Sequence, residues 1–392
     1  MQNQLMCYNC LSDKLSLFYE VSQIPVHSVL LMPNREKAVT YTKGDIRLAL
    51  CEDCGFIFNT AFNPSLHEYS SEYEETQGFS STFNAFHHRL ANSLIERFDL
   101  HNKDVIEIGC GKGEFLTMLC KLGNNRGIGF DPAYIPERNQ SDMGEQVTFI
   151  KDFYSEKYSN YKADFICCKM TLEHIQDTHK FISTVRNSIG DRQDTIVFFQ
   201  IPNVHRVLKD LAFWDIYYEH CSYFSPGSLA RLFRKCNFDV IDLWNDYDDQ
   251  YSMIAARPQN SSREFLPAED DLQEIKNNVT FFLNNCRDKM NEWKNFLKKS
   301  KADAKRVVLW GGGSKAVAFL TSLGITDEIE YAIDINPYKN NTFLAGSGHQ
   351  IKEPAFLKNY KPDVVIVMNP IYCNEIEKDL HEMGLAPHIM HV

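Results

Sequence analysis

VIEIGCGKGEFL, residues 105–116, decides the fold class of this chain. Val105, Ile106 and Ile108 make a short apolar strand that carries Glu107, and Gly109, Cys110, Gly111 and Gly113 interrupt it before a helix opens at Glu114. Glycines at the end of a strand remove the Cβ atoms that would hold a ligand away from the backbone. A second apolar run, GIGF, ends at Asp131. That acid follows the first turn by about twenty residues, where a carboxylate accepts hydrogen bonds from a ribose diol. The glycines are spaced x-G-x-G-x-G with an acid two residues ahead of the first, which is not the G-x-G-x-x-G of dinucleotide turns. A purely structural strand–turn–helix is the alternative reading of the same residues.

The chain has 392 residues, 44% of them hydrophobic and 24% charged, which is the composition of a globular protein with room for two or three cores. A net charge of −11 argues against a broad nucleic-acid surface and leaves room for a small basic pocket. No apolar run reaches the ~18 residues of a membrane span, and MQNQLMCYNC is not a signal segment. A cytoplasmic protein without nucleic-acid or membrane partners, monomeric or homodimeric, is expected. Twelve cysteines suit that compartment only if reduced or metal-bound. Eight lie in apolar surroundings and read as core thiols. Cys7-Tyr-Asn-Cys10 and Cys51-Glu-Asp-Cys54 instead form two C-x-x-C knuckles, which together make a tetrahedral S4 shell for structural zinc. Gly55 and the strand-like Phe56–Phe58 suit such a knuckle; unrelated free thiols are the alternative.

Beyond residue 100, apolar runs alternate with helical segments in a βαβ rhythm. Strands are expected at Val105–Ile108, Arg126–Phe130, Val147–Ile150, Phe165–Lys169 and Thr195–Gln200. In such parallel sheets ligands bind at the carboxyl ends of the strands. Asp131, the pair Asp152–Phe153 and the segment Lys169–His174 all fall there. Asp152 is a candidate for the adenine amino group with Phe153 beside the ring, or else a helix-capping acid.

The glycine motif with its acids resembles the first motif of class I S-adenosylmethionine-dependent methyltransferases, and TLEHIQD (171–177) resembles the segment after their fourth strand. IYYEHCSYFSPGSL, residues 216–229, is similar to a signature of the deoxysugar C-methyltransferases, which act on nucleotide-linked keto sugars. The paired knuckles before it and a glycine-rich turn after it match that family's order of modules. The resemblance implies an α/β fold: a class I methyltransferase Rossmann-like sheet, a small N-terminal zinc-binding module and a second C-terminal Rossmann-like α/β domain. The implied bounds are 1–85, 86–260 and 261–392.

It also implies a site. S-adenosylmethionine would bind at Glu107, Gly109, Cys110, Gly111, Gly113, Asp131, Asp152, Phe153 and Tyr73. Tyr73, with Tyr69, lies in a segment resembling one that closes over the active site in relatives. A carbon nucleophile beside a ketone is an enolate, so a base and an oxyanion donor are needed. His220 is the natural base, Tyr217 the donor to the enolate oxygen, Glu219 the group that orients the ring or holds a sugar hydroxyl, and His174 faces the substrate. Asp249-Gln250-Tyr251-Ser252 stands where many members show His-Gly-Gly-Ser, so an acceptor other than the familiar deoxyhexoses is expected.

Residues 263–303 have apolar positions at spacings of three and four from Leu272 to Leu297 and read as one long amphipathic helix. RVVLWGGGSKAVAFL (306–320) then repeats the strand, glycine turn and helix, with Lys315 at the helix start, where a phosphate can sit. Its spacing is not that of a Walker A loop. By resemblance, this unit adds to the nucleotide-sugar site. The competing readings are O- or N-methylation of a related nucleotide sugar or other small molecule, and a non-catalytic protein that binds the donor or a nucleotide.

Overall fold

The computed structural model describes residues 5–66, 73–139, 143–259 and 264–392. Its central sheet has seven strands in the order Phe238–Asp246, Tyr251–Pro258, Ile196–Pro202, Phe165–Lys169, Asp104–Ile108, Arg126–Phe130 and Val147–Ile150. Only Tyr251–Pro258 runs against the others. The expected parallel strands are all present; the edge hairpin is an addition to them. Inner strands are covered on both faces, which is why Phe165–Lys169 (FICCK) is buried throughout. Chain order reverses on either side of Asp104–Ile108, so the switch-point crevice opens at Gly109.

The glycines there are dictated twice over. Gly109, Gly111 and Gly113 have φ of +70°, +54° and +82°, a region that side chains rarely adopt. A Cβ on Gly113 would also stand 2.5 Å from the Phe149 ring.

The N-terminal sheet orders Leu15–Pro25, Lys43–Cys51, Ile57–Asn59 and, from much later in the chain, Ser222–Tyr223. The C-terminal unit is a five-stranded parallel sheet in the order Gln350–Lys352, Tyr331–Ile333, Val307–Trp310, Val364–Val367 and His388–His391. The long helix is shorter than the expected 263–303. It runs Leu272–Ala302, because Pro267–Glu269 forms a separate 3-10 turn ahead of it. Its apolar stripe packs as expected: Phe282 meets Phe18 and Tyr19 at ring distances of 6.2 and 5.5 Å, and Trp293 meets Phe319 at 5.3 Å.

The expected boundary at residue 85 falls inside helix Ser81–Phe98, which is capped by Ser80 accepting from Phe83 N. The boundary at 260 falls outside the described residues, as do Tyr69 and residue 263 at the start of the expected helix. No helix among the described residues is long and apolar enough to cross a membrane.

Phe58, buried between Tyr8 (5.3 Å) and Phe56 (5.5 Å), lies in the strand that pairs with Ser222–Tyr223. Phe58→Ala is expected to destabilise the protein by about 3–5 kcal/mol through the cavity it leaves, measured by urea unfolding.

Candidate active site

The glycine turn and Asp131 form one unit. Gly111 N donates to Asp131 Oδ2 at 2.9 Å and Ala133 N donates to Oδ1 at 2.7 Å. Each oxygen keeps a second lone pair, enough for the two hydroxyls of a ribose. Burial raises the pKa of this carboxyl, against the two N–H donors.

Two expected contacts of the turn point elsewhere. Glu107 is 2% exposed and pairs with Cys167 across the neighbouring strands. Burial pushes it up to about 7, with the Lys169 ammonium as countercharge. Lys169 Nζ in turn stands 3.1 Å from His87 Nε2 and 3.8 Å above the Phe115 ring. Glu107 is thus buried behind the turn, and its Oε2 has no hydrogen-bond partner among the described residues. Cys110 packs its sulfur against Gly129, and its N–H is used by Phe130 O at 3.2 Å.

At the next strand end, Asp152 is engaged by Tyr158 Oη at 2.6 Å and by Lys157, while Phe153 is 59% exposed. These partners satisfy the carboxylate, and the 3-10 turn that follows, Glu156–Tyr158, has Ser155 and not Asp152 at its N-cap.

Residues 73–80 cross from the donor turn to the acceptor side. Tyr73 O accepts from Lys112 Nζ at 3.0 Å, and Tyr73 Oη donates to Glu219 Oε2 at 3.0 Å. The phenol is thus tied to Glu219. Glu74 accepts from Arg138 at 2.7 and 3.0 Å and from Asn336 Nδ2 at 2.9 Å, which joins the central and C-terminal units. Tyr372 Oη donates to Gln77 Oε1 at 2.8 Å.

The signature segment brings Tyr217, Glu219 and His220 close to His174. The His220 ring lies 4.1 Å from Tyr217 and meets His174 edge-on at 4.8 Å. Burial lowers the pKa of both imidazoles, that of His174 to about 4, and His220 is lowered further by His174 and Lys315. His220 is neutral at physiological pH and able to take a proton. Burial raises the Tyr217 hydroxyl well above its ordinary pKa, so it remains a donor. Glu219 differs from expectation: 1% exposed, it accepts from Ser28 Oγ at 2.7 Å, from Ser28 N and from Tyr73 Oη. These bonds use it to anchor the segment, and it does not line the cleft.

The structure adds two residues to those expected. Ser28 lies 191 positions from Glu219, and nothing local in its sequence marks it. Glu173 is next to His174, and its ligand atoms lie with those of His174 and His220 within 4.8 Å of one another. Both Glu173 oxygens are buried without a hydrogen-bond partner, and burial pushes the carboxyl up to about 8.

Tyr217, His220 and Tyr223 form one wall of a cleft whose other wall is the second glycine turn, with Trp310, Gly311, Gly313 and Lys315. Lys315 pairs with Asp215, which Arg206 also approaches at 3.6 Å. Gly312 N donates to Asp334 Oδ2 at 2.9 Å, the same device as at Gly111 and Asp131. Gln250 and Asn369, also lining the cleft, bond through both amides at 3.2 and 2.8 Å.

Away from this cleft, Cys7, Cys10, Cys51 and Cys54 hold their sulfurs within 4.8 Å of one another, with Cys7–Cys54 at 3.6 Å and Cys10–Cys51 at 3.5 Å. Those separations are far beyond a disulfide and near the ~3.8 Å edge of a tetrahedron with ~2.3 Å metal–sulfur bonds. The donor set suits a soft dication.

Residues 83–243 match the family model described as a methyltransferase domain, and residues 252–386 match that of a C-methyltransferase C-terminal domain. C-methyltransferase NovU of Streptomyces niveus is 27% identical over 314 residues, 76% of this chain and 74% of that protein. Ribosomal protein L11 methyltransferase of Haemophilus influenzae is 29% identical over 101 residues, 25% of this chain and 34% of that protein. Among solved structures, 1,6-didemethyltoxoflavin-N1-methyltransferase of Burkholderia thailandensis is 16% identical, covering 47% of this chain and 83% of that one with a TM-score of 0.37.

Because the pKa of Glu173 rises on folding from an ordinary 4.5 to about 8, the folded state holds a proton that the unfolded chain releases. Its contribution to stability is complete below pH 4.5 and is lost as pH rises through about 8. Glu173→Gln, which keeps the neutral form at every pH, is expected to gain stability relative to the parent across that interval. Urea midpoints at pH 5 and pH 8 measure it; equal differences at the two would contradict it.

Proposed function

Because the chain belongs to the class I S-adenosylmethionine-dependent C-methyltransferases, we propose that it methylates a carbon beside the ketone of a nucleotide-linked sugar. The observation that carries this reading is the shared cleft: Tyr217 and His220 face the glycine turn of the C-terminal unit across it. Bound at Gly109–Gly113 and Asp131, the donor supplies an electrophilic sulfonium methyl. His220, neutral because it is buried, accepts the proton from the carbon acid. Tyr217 donates to the oxygen that becomes the enolate. Glu173 has a carboxyl oxygen within 4.8 Å of nitrogens of both imidazoles, and burial keeps that carboxyl in its neutral form. Glu219 keeps residues 217–220 in place through Ser28 and Tyr73. Lys315 and Arg206 share one carboxylate, so a diphosphate arriving beside Asp215 finds two cations to bind. Gln250 and Asn369 line the cleft and give the acceptor site a polar amide pair in place of the family's His-Gly-Gly-Ser.

We infer that the cysteine quartet holds structural Zn2+, all four positions being filled by protein sulfur. Reduced thiolates and a nucleotide-linked acceptor both favour the cytoplasm.

A mass-spectrometric screen of nucleotide sugars with S-adenosylmethionine tests the acceptor, and NMR of the product separates C- from O- or N-methylation. On the substrate so identified, His220→Ala is expected to lower kcat by ~10²–10⁴-fold while S-adenosylhomocysteine still binds. Wild-type turnover in this variant would remove His220 as the base. Cys51→Ser is expected to lose bound zinc, read by elemental analysis, and to melt at lower temperature. Full zinc occupancy with unchanged melting would contradict the S4 site.

A further inference from the structure

The donor turn carries a carboxylate with no evident use. Gly111 lacks a Cβ, and Glu75 Oε1 lies 2.9 Å from where that atom would be. Glu75 Oε2 is buried and has no hydrogen-bond partner. Lys112 Nζ is 3.4 Å from that oxygen but donates to Tyr73 O at 3.0 Å. Asp131 and Glu74 add negative charge nearby, and burial pushes the Glu75 carboxyl up to about 7. Lys112 and Arg138 thus bring two positive charges to the three carboxylates Glu74, Glu75 and Asp131, and Lys112 pairs with Glu75 by charge without a hydrogen bond to it. A fully buried carboxylate oxygen without a donor is costly unless a ligand supplies one.

S-adenosylmethionine carries an α-ammonium with three N–H donors at the end of the molecule remote from its adenine. Asp131 receives the ribose on one side of Gly111, and Glu75 lies over the same glycine. We propose that Glu75 binds the α-ammonium of the methyl donor. The residue belongs to the strap that continues back to Tyr73 and so to Glu219. A donor held at Glu75 thereby fixes the strap that touches the acceptor cluster. The inference rests on the identity of the donor and is independent of the sugar.

Two probes separate the ammonium contact from the rest of the cofactor site. S-adenosylhomocysteine carries the amino-acid end; 5′-methylthioadenosine keeps the nucleoside and lacks it. In calorimetric titrations of the full chain, Glu75→Gln is expected to weaken S-adenosylhomocysteine binding by about tenfold or more, the loss of one charge-assisted bond. Binding of 5′-methylthioadenosine should stay within about twofold, which also shows that the variant is folded. Unchanged affinity for S-adenosylhomocysteine would overturn the proposal, and so would an equal loss for both probes, which would mean that Glu75 only shapes the strap. Neither result bears on the nucleotide sugar, because no acceptor is present. Failure of the wild-type protein to bind either probe would overturn the donor assignment itself.

Discussion

Strand Ile57–Asn59 pairs with Ser222–Tyr223, Ile57 opposite Tyr223 and Phe58 opposite Ser222, and Asn59 N adds a bond to Cys221 O at 2.9 Å. The arrangement of the acceptor cluster depends on this register. Because side chains alternate across a strand, a slip of one residue would exchange the faces of Ser222 and Tyr223 and shift the turn 217–220 that leads into them. Just upstream, Tyr218 fills the space over Gly44 and accepts from Asn63 N at 2.9 Å. Glu219 is held by Ser28 and Tyr73, leaving Tyr217 and His220 to face the cleft. Four successive residues thus serve two different units, and the pairing decides which side chain goes where.

The same construction occurs in the central and the C-terminal units. Gly111 with Asp131 and Gly312 with Asp334 each tie a glycine N–H to the acid that ends the next strand, at 2.9 Å in both cases. Ala133 N and Asn336 N complete the two carboxylates at 2.7 and 2.9 Å. In the second copy Lys339 pairs with the acid at 3.2 Å. Glu74 links the two copies by bonding Arg138 beside one and Asn336 beside the other. A buried acid with a bidentate guanidinium and an amide is well satisfied, and removing any one partner would leave the charge exposed to a low dielectric.

Features that depend on local chemistry are legible in the sequence. Parallel strands declare themselves as apolar runs, and all five expected ones end within two residues of those observed. The glycine turn and the paired knuckles carry their constraint in their spacing. The edge hairpin Phe238–Pro258 is harder to see because its two strands stand apart from the βαβ rhythm that marks the others. Helix Leu272–Ala302 begins with its apolar pattern at Leu272 and later than the expected 263, because Pro267 opens a separate 3-10 turn ahead of it. Side-chain direction is the least legible of all. Glu107 and Cys110 belong to the glycine motif but point into the core, whereas Glu75 and Glu173, each beside a candidate residue, carry no pattern of their own. Ser28 meets its partner across 191 positions, a distance over which no pattern in one sequence speaks.

The cysteine knuckles are bonded outward as well as to each other. Arg231 Nε donates to Cys54 O at 2.9 Å, Lys235 Nζ to Cys10 O at 2.9 Å, and Lys276 of the long helix meets Glu52 at 3.1 Å. Gly55, at φ +72°, lies where a Cβ would come within 3.1 Å of both Arg231 and Ile275. The amino-terminal portion is therefore not an exchangeable cassette. A chimera that borrowed it from a relative would need to bring along Ser222–Tyr223, helix Pro226–Lys235 and the start of helix Leu272–Ala302. In recombination as in engineering, the unit of inheritance here is the interface and not the segment.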